Sequence, residues 1–243
     1  ASDTNSYRNI DIDRTTVSGN HTISYGANGA GVSAQRAAST IPSSHVSAAY
    51  RLAVTSSNAG TVNISVPIES SAGYVAGLIN TNANNLGIEA SAITRIKIPA
   101  PSSDGTVAFS LKSKPGTNGT VSISESVVTD DLTNLATSIN NFAGRTGVSA
   151  YLSTDKKSII MENIDGDDIQ LTSFTSPSSL SIKILKNDYS DSGASVTLDS
   201  TSYRAGRFSG ELFLESSISI STTNDGGSTT VSSSQDATRD GYY

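Results

Sequence analysis

The side chains that most often perform chemistry are few and scattered in this chain. Its two histidines, His21 and His45, form neither an HExxH motif nor a close pair of the kind that binds zinc. Cysteine is absent, which excludes thiol catalysis, disulfides and cysteine-bound zinc. No GxSxG elbow surrounds any serine. The residues therefore predict no catalytic constellation and no metal centre, and we expect that the protein is not an enzyme.

Two acidic segments and one glycine-rich segment carry the remaining chemical signals. The acidic segments are NIDIDR at 9–14 and NIDGDDIQ at 163–170, and both lack the evenly spaced oxygen ligands and distal glutamate of a calcium loop. Turn carboxylates are the better interpretation. The segment GANGAG at 26–31 has the spacing GxxGxG instead of the dinucleotide-binding GxGxxG, and no convincing helix follows it. We expect no cofactor.

Charge and composition exclude further classes of partner. The chain carries 16 Lys and Arg against 22 Asp and Glu, a net charge of -6, and its basic residues form no cluster that would bind phosphates. No apolar run approaches the roughly 20 residues of a membrane helix. We therefore expect neither a nucleic acid nor a membrane as partner. The first residues lack the layout of a signal peptide, so we expect the N-terminus to lie inside a larger chain.

The elements that position these residues follow an internal repeat of about sixty residues. Residues 60–65 (GTVNIS) match 119–124 (GTVSIS), Ile79 and Asn80 match Ile139 and Asn140, and residues 87–90 (GIEA) match 147–150 (GVSA). The matched segments follow each other in the same order in both repeats, and their spacing is nearly the same. The pattern predicts two tandem repeats, at 59–118 and 119–175.

Each repeat changes its hydrophobic period along its length. It starts with the two-residue alternation of a half-buried strand and continues into a helix. In the second repeat the helix has one apolar face, formed by Leu132, Leu135, Ala136, Ile139 and Ala143. Either Asp130 or Asp131 can cap its start, and Gly144 or Gly147 can end it. Gly73 and Gly77 weaken the helix of the first repeat, which must rely on packing.

After each helix the period returns to two residues, which predicts a strand meander with a turn at TDKK, 154–157, and another at Asp165-Gly166. The helix is expected to cover one face of the sheet beside it. The flanks, 1–58 and 176–243, contain alternating strand-like runs and can pair into one discontinuous domain. The predicted fold is therefore α+β and β-rich, with two tandem strand-helix-strand-meander repeats and additional β-rich flanking segments.

The second repeat resembles the IN motif of bacterial flagellins and related hook-associated proteins. A helix ends in Ile139 and Asn140, then Thr146, Gly147 and Val148 lead into a strand, and a turn at Asp165 and Gly166 precedes another strand. The first repeat keeps Ile79, Asn80 and Gly87 but has Leu86 where the threonine would stand. Residues 206–222 (GRFSGELFLESSISIST) also look like strand segments of flagellin outer regions.

The resemblance implies a structural component of the bacterial flagellar filament, extracellular, with other flagellin subunits as partners. Neither end has the long heptad-like helices of the filament core, so the chain resembles the variable outer region (D2/D3-type) of a flagellin and is expected to be monomeric alone. One alternative is the middle region of a flagellar cap or hook-associated protein. Another is a carbohydrate-binding or adhesin module with stacking platforms at Tyr25, Tyr50, Tyr74, Tyr151, Tyr189 and Tyr203.

Overall fold

A computed structural model describes residues 34–44, 46, 49–56, 59–113, 119–216 and 220–224. The described part is rich in strands. These are β1 (Ala34–Ala37), β2 (Tyr50–Ser56), β3 (Gly60–Val66), β4 (Ile88–Pro99), β5 (Gly105–Lys112), β6 (Val121–Val127), β7 (Ser149–Leu152), β8 (Ser158–Asn163), β9 (Ile169–Thr175), β10 (Leu180–Leu185), β11 (Asp191–Leu198), β12 (Ala205–Phe208), β13 (Glu211–Ser216) and β14 (Ile220–Asn224).

The helices of the described residues are short. They are α1 (Ala72–Asn82), α2 (Thr133–Asn140) and α3 (Ala143–Thr146), with a 3-10 turn at Asn84–Leu86 after α1. The prediction of a mostly β, α+β fold is therefore confirmed. The chain divides into two compact units. Of the described residues, the first unit contains those from 44 to 92 and from 211 to 224, and the second contains those from 34 to 43 and from 93 to 210.

The described part of the first unit is a small sheet with a helix beside it. Three of its strands lie in the order β14-β2-β3, all antiparallel. The unit also contains β13 and the first residues of β4, 88–92, because the boundary between the units falls within β4. Helix α1 packs near β3 and β13. Strand alternation buries Leu52 and Val54 on β2 and Ile64 and Val66 on β3, and the helix contributes its own apolar face to the same core.

The second unit contains two sheets that share one core. One sheet has the order β1-β12-β9-β5-β6, and the other has the order β11-β10-β4-β8-β7. Every second residue of these strands faces inward, as Val107, Phe109 and Leu111 do on β5. Phe109 stacks on Phe174 with ring centroids 6.3 Å apart. Helix α2 packs beside β6 and β7 and contributes its apolar face to this core.

The helix of the second repeat is shorter than the apolar spacing predicts. Leu132, Leu135, Ala136 and Ile139 are buried as one face, but α2 ends at Asn140 and Ala143 begins the separate α3. The break lies at Phe142, whose N–H bonds to the carbonyl of Ile139 three residues earlier, as in a 3-10 turn. The cap of α2 differs from the prediction, because the N-cap residue is Leu132, which makes no side-chain capping bond. Asp131, one residue earlier, accepts a 2.8 Å hydrogen bond from the N–H of Thr133, the first residue of the helix.

The predicted division into repeats and flanks stays a prediction. Residues 114–118, which precede the proposed boundary between the repeats, lie outside the described residues, as do most of 1–58 and 225–243. Strands β10 to β12, which the sequence assigned to a flank, belong to the second compact unit together with α2 and β5 to β9.

Candidate functional site

The two asparagines of the sequence motif make the same contact in both units. Asn80, near the end of α1, donates from Nδ2 to the carbonyl of Ala90 at 2.7 Å and accepts at Oδ1 from its N–H at 2.7 Å. Asn140, the last residue of α2, makes the equivalent bonds to Ala150, at 2.8 and 2.7 Å. In each unit the partner lies ten residues further along the chain. One amide therefore satisfies both backbone groups of one strand residue, as a neighbouring strand would.

The isoleucines that precede these asparagines anchor the helices. Ile79 and Ile139 are both completely buried, each in the core of its own unit. Because consecutive helical side chains point about 100° apart, the isoleucine enters the core while the asparagine reaches the strand beside the helix. The pair Ile-Asn thus fixes one helix end against both a core and a strand.

A left-handed glycine connects helix and strand in each unit. Gly87 has φ of 66° and Gly147 has φ of 75°, a conformation that costs an L side chain energy. Thr146, buried before Gly147, donates to the carbonyl of Phe142 at 3.0 Å and accepts from the N–H of Val148 at 3.1 Å. Leu86 takes this position in the first unit and packs in its core instead. The motif residues around the end of each helix are therefore brought together, Ile79, Asn80 and Gly87 in the first unit and Ile139, Asn140, Thr146, Gly147 and Val148 in the second.

Asp165 and Gly166 form the predicted turn, between β8 and β9. Gly166 has φ of 72°. The turn is held by Asn163, whose Oδ1 accepts from the N–H groups of Asp165 at 2.9 Å and Asp167 at 3.3 Å. The Nδ2 of Asn163 donates to Ser113 Oγ at 2.8 Å. The turn follows β8, whereas the Asn140–Ala150 contact joins α2 to β7. Its acidic side chains belong to no group among the described residues that could hold a metal ion.

Sequence reasoning missed a buried ion pair on neighbouring strands. Arg95 on β4 stands opposite Glu162 on β8, and its Nε donates to Glu162 Oε2 with both side chains almost fully buried. Arg95 Nη1 also donates to the backbone oxygen of Asn187 at 2.7 Å and to its Oδ1 at 2.9 Å. The guanidinium carbon lies 4.2 Å from the ring centroid of Tyr189. Because Arg95 and Glu162 are 67 residues apart, no local pattern in the sequence predicts that they form a pair.

A second buried ion pair joins Asp168 to Arg207. The Nε of Arg207 donates to Asp168 Oδ2 at 2.6 Å, and both side chains are more than nine-tenths buried. The second carboxylate oxygen, Oδ1, has no hydrogen-bond partner among the described residues. Burial raises the pKa of Asp168 to about 6, although the Arg207 guanidinium lowers it in part. The acidic segment 163–170 thus supplies a turn and a buried ion pair.

The tyrosines considered as stacking platforms occupy different environments. Tyr74, Tyr151 and Tyr189 are about half exposed and Tyr203 somewhat less, whereas Tyr50 is buried in the first core. Tyr25 lies outside the described residues. One face of Tyr203 is occupied by Arg36, whose guanidinium carbon lies 3.8 Å from the ring centroid, and Arg95 covers Tyr189 in the same way.

The histidines and the other segments considered as chemical signals lie mostly outside the part of the chain that the structure describes. His21, His45 and the segments 9–14 and 26–31 lie outside the described residues. Within the described ranges no three acidic, histidine or cysteine side chains are placed to hold a metal ion, and no helix has the length and apolarity to cross a bilayer. A surface depression of about 170 Å³, between β6 and the start of α2, is smaller than the roughly 300–1,000 Å³ of most ligand pockets.

Comparison with protein-family models and with curated proteins finds no match for this chain. The geometry of the repeated asparagine contact is therefore the most specific feature on which a function can be argued.

Proposed function

We propose that the chain is an extracellular structural module, the surface-exposed outer region of a bacterial flagellin. In this proposal it projects from the flagellar filament, its partners in the intact filament are other flagellin subunits, and alone it is monomeric. It contributes to motility by shaping the filament surface and performs no chemistry of its own.

The observation that carries this proposal is the recurrence of one contact in two places. Asn80 with Ala90 and Asn140 with Ala150 have the same bonding pattern, the same separation and a left-handed glycine at the same step between them. Two copies of a strand-helix-strand-meander unit explain this recurrence, as they explain the sequence repeat. The residues involved are those that resemble the IN motif of flagellins and hook-associated proteins.

The motif residues support a structural role because their side chains contact the protein's own core and backbone. Ile79 and Ile139 are fully buried, and both amide groups of each asparagine are bonded to a strand residue. These contacts are with the protein's own core and backbone, and they account for the motif residues without a ligand. They stabilise a module whose surface is free to vary.

Immunogold electron microscopy of flagella from the source organism tests the proposal. Antibodies raised against this chain are expected to label the filament along its whole length. Label only at the filament tip would identify a cap protein, and label only between hook and filament would identify a hook-associated protein. Label on the cell body with bare flagella would overturn the flagellar assignment.

The exposed rings of Tyr74 and Tyr151 favour a second candidate, a carbohydrate-binding or adhesin module. Among the exposed tyrosines these two are the better platforms, because arginines occupy one face of Tyr189 and Tyr203. A glycan array discriminates this candidate. Binding that falls on Tyr74→Ala or Tyr151→Ala substitution, together with unlabelled flagella, would favour it over the filament module.

A further inference from the structure

The outer face of the sheet β11-β10-β4-β8-β7 carries a row of four side chains that lie outside the buried core. Tyr151 stands opposite Ile160, Ile160 opposite Lys97, and Lys97 opposite Lys183, one residue from each of four neighbouring strands. Tyr151 and both lysines are exposed, and Ile160 is half-buried. With strands about 4.8 Å apart, the row extends over roughly 14 Å. We call these four residues the lysine row.

The two lysines of this row oppose each other directly across adjacent antiparallel strands. Like charges in this position are destabilising, and here they occupy the middle of a sheet. Asp191 lies 2.6 Å from the Lys183 ammonium and relieves the repulsion in part. The row itself holds two lysines, and Asp191 interacts with both of them. The chain as a whole carries a charge of -6, so a second copy offers more acidic than basic side chains to this basic and partly apolar strip. An acidic partner with an apolar contact would complement it.

A surface with these complementary properties exists on the same unit, at the β8–β9 turn. Ile164 at its tip is 70% exposed, the highest value among the large hydrophobic side chains described, and Asp165 beside it is also exposed. The turn is fixed by the hydrogen bonds from the backbone of Asp165 and Asp167 to the side chain of Asn163. It therefore presents an apolar tip and an acidic neighbour with little ordering entropy left to lose on binding.

We propose that the β8–β9 turn of one copy docks on the lysine row of a second copy. Ile164 packs on Ile160 and Tyr151, while the Asp165 carboxylate lies between Lys97 and Lys183. The two surfaces differ, so the contact is heterologous and joins copies head to tail instead of closing a symmetric dimer. The inference goes beyond the filament proposal and does not depend on it, because it concerns only two faces of this chain.

The contact is small, so it is weak at dilute concentration and forms where copies are crowded together. A chain that is monomeric in dilute solution is consistent with this contact. The proposal therefore requires a measurement that captures a short-lived complex.

Disulfide trapping provides that measurement, because the chain has no cysteine of its own. Ile164→Cys on one copy is mixed with Ile160→Cys on a second copy that carries a mass tag, in a glutathione redox buffer. The mixed disulfide is expected to form about tenfold faster than in a mixture where Ile68→Cys replaces Ile164→Cys. Ile68 is a matched control, since its side chain is 55% exposed and lies in the other unit.

Charge reversal tests the ionic part of the contact. Lys97→Glu in the Ile160→Cys copy is expected to reduce trapping several-fold, as is about 0.5 M salt, and Asp165→Lys in the other copy is expected to restore it. Lys112→Glu makes the same charge change on β5, in the other sheet of this unit, and should leave the rate unchanged. Thermal unfolding of each variant confirms that it is folded.

Three results would overturn the inference. The first is a rate of disulfide trapping with Ile164→Cys no higher than with Ile68→Cys. The second is a trapping rate that neither Lys97→Glu nor salt changes. The third is lysine-dependent binding of an oligouronate without Ile164-dependent trapping, which would make the row a surface for carboxylated glycans. None of these results bears on immunogold labelling of the filament, so failure of the docking contact and failure of the filament proposal remain distinguishable.

Discussion

The side-chain amide of Asn140 bonds Ala150 through both its donor and its acceptor, at 2.8 and 2.7 Å. Ala150 lies on β7, the last strand of its sheet among the described residues, with Met161 of β8 opposite it on the other side. The asparagine therefore makes the hydrogen bonds to this side of Ala150 that a neighbouring strand would make. Since Asn140 also ends α2, the contact sets the register between a helix end and an edge strand.

Replacing Asn140 by aspartate should weaken this link. A carboxylate still accepts from the Ala150 N–H, but it places an oxygen against the Ala150 carbonyl. We expect a loss of about 1–2 kcal/mol in the free energy of unfolding, measured by urea denaturation. Asn141→Asp is the control, because it makes the same change at the same end of α2, where the helix dipole also disfavours a carboxylate, and it should cost less than about 0.5 kcal/mol. Equal effects at the two sites would contradict the role assigned to Asn140.

Arg95 and Glu162 should show the asymmetry of a buried ion pair. Arg95→Met leaves Glu162 charged and buried, which we expect to cost about 3–5 kcal/mol in the free energy of unfolding. The double variant with Glu162→Met removes that charge too and should regain most of the loss. A double variant as unstable as the sum of the two single variants would show that the residues act independently.

The parts of the fold that sequence predicted are those set by neighbours along the chain. Leu135, Ala136 and Ile139 lie within two helical turns, so their spacing alone predicts a buried face, and Gly147 marks the end of the helical segment by its conformation. The break after Asn140 was not predicted, because the 3-10 bond of Phe142 leaves no mark in the hydrophobic spacing.

The parts that sequence missed depend on distant residues. Arg95 meets Glu162 across 67 positions, and Asp168 meets Arg207 across 39, so neither pair shows a local pattern. The sequence predicted that Asp168 is one of several carboxylates in a turn, but not that its side chain is buried. The asparagine contacts were predicted in part. The repeat identified Asn80 and Asn140, but the sequence did not predict the strand residues to which they bond.

Asp168 should make stability depend on pH in the direction opposite to an ordinary carboxylate. Its folded pKa of about 6 exceeds the ordinary value of 3.8, so the folded state holds the proton more tightly. The stabilisation is fully present below the unfolded pKa and is lost as pH rises through about 6. We expect the free energy of unfolding of the wild type, relative to Asp168→Asn, to fall by on the order of 2 kcal/mol between about pH 4 and 7.

Urea denaturation of both proteins across this pH range checks the prediction. The difference between the two proteins isolates Asp168, because the other titrating groups contribute equally to both. Asp199 illustrates the opposite case, since backbone hydrogen bonds from Ser202 and Thr201 lower its pKa to about 2. A wild-type advantage that grows as pH rises through 6 would mean that Arg207 holds Asp168 ionised in the folded protein.

Two glycines of the first unit should respond to alanine in opposite directions. Gly77 lies inside α1 with no heavy atom within 4 Å of the position that a Cβ would occupy, so Gly77→Ala should stabilise by about 0.5–1 kcal/mol through helix propensity and a less flexible unfolded chain. Gly87 also has free space, but its φ of 66° is left-handed, and Gly87→Ala should destabilise by about 1 kcal/mol. Since neither substitution creates a steric clash, the difference between their urea midpoints reports backbone conformation alone. Two shifts of the same sign would contradict the left-handed conformation assigned to Gly87.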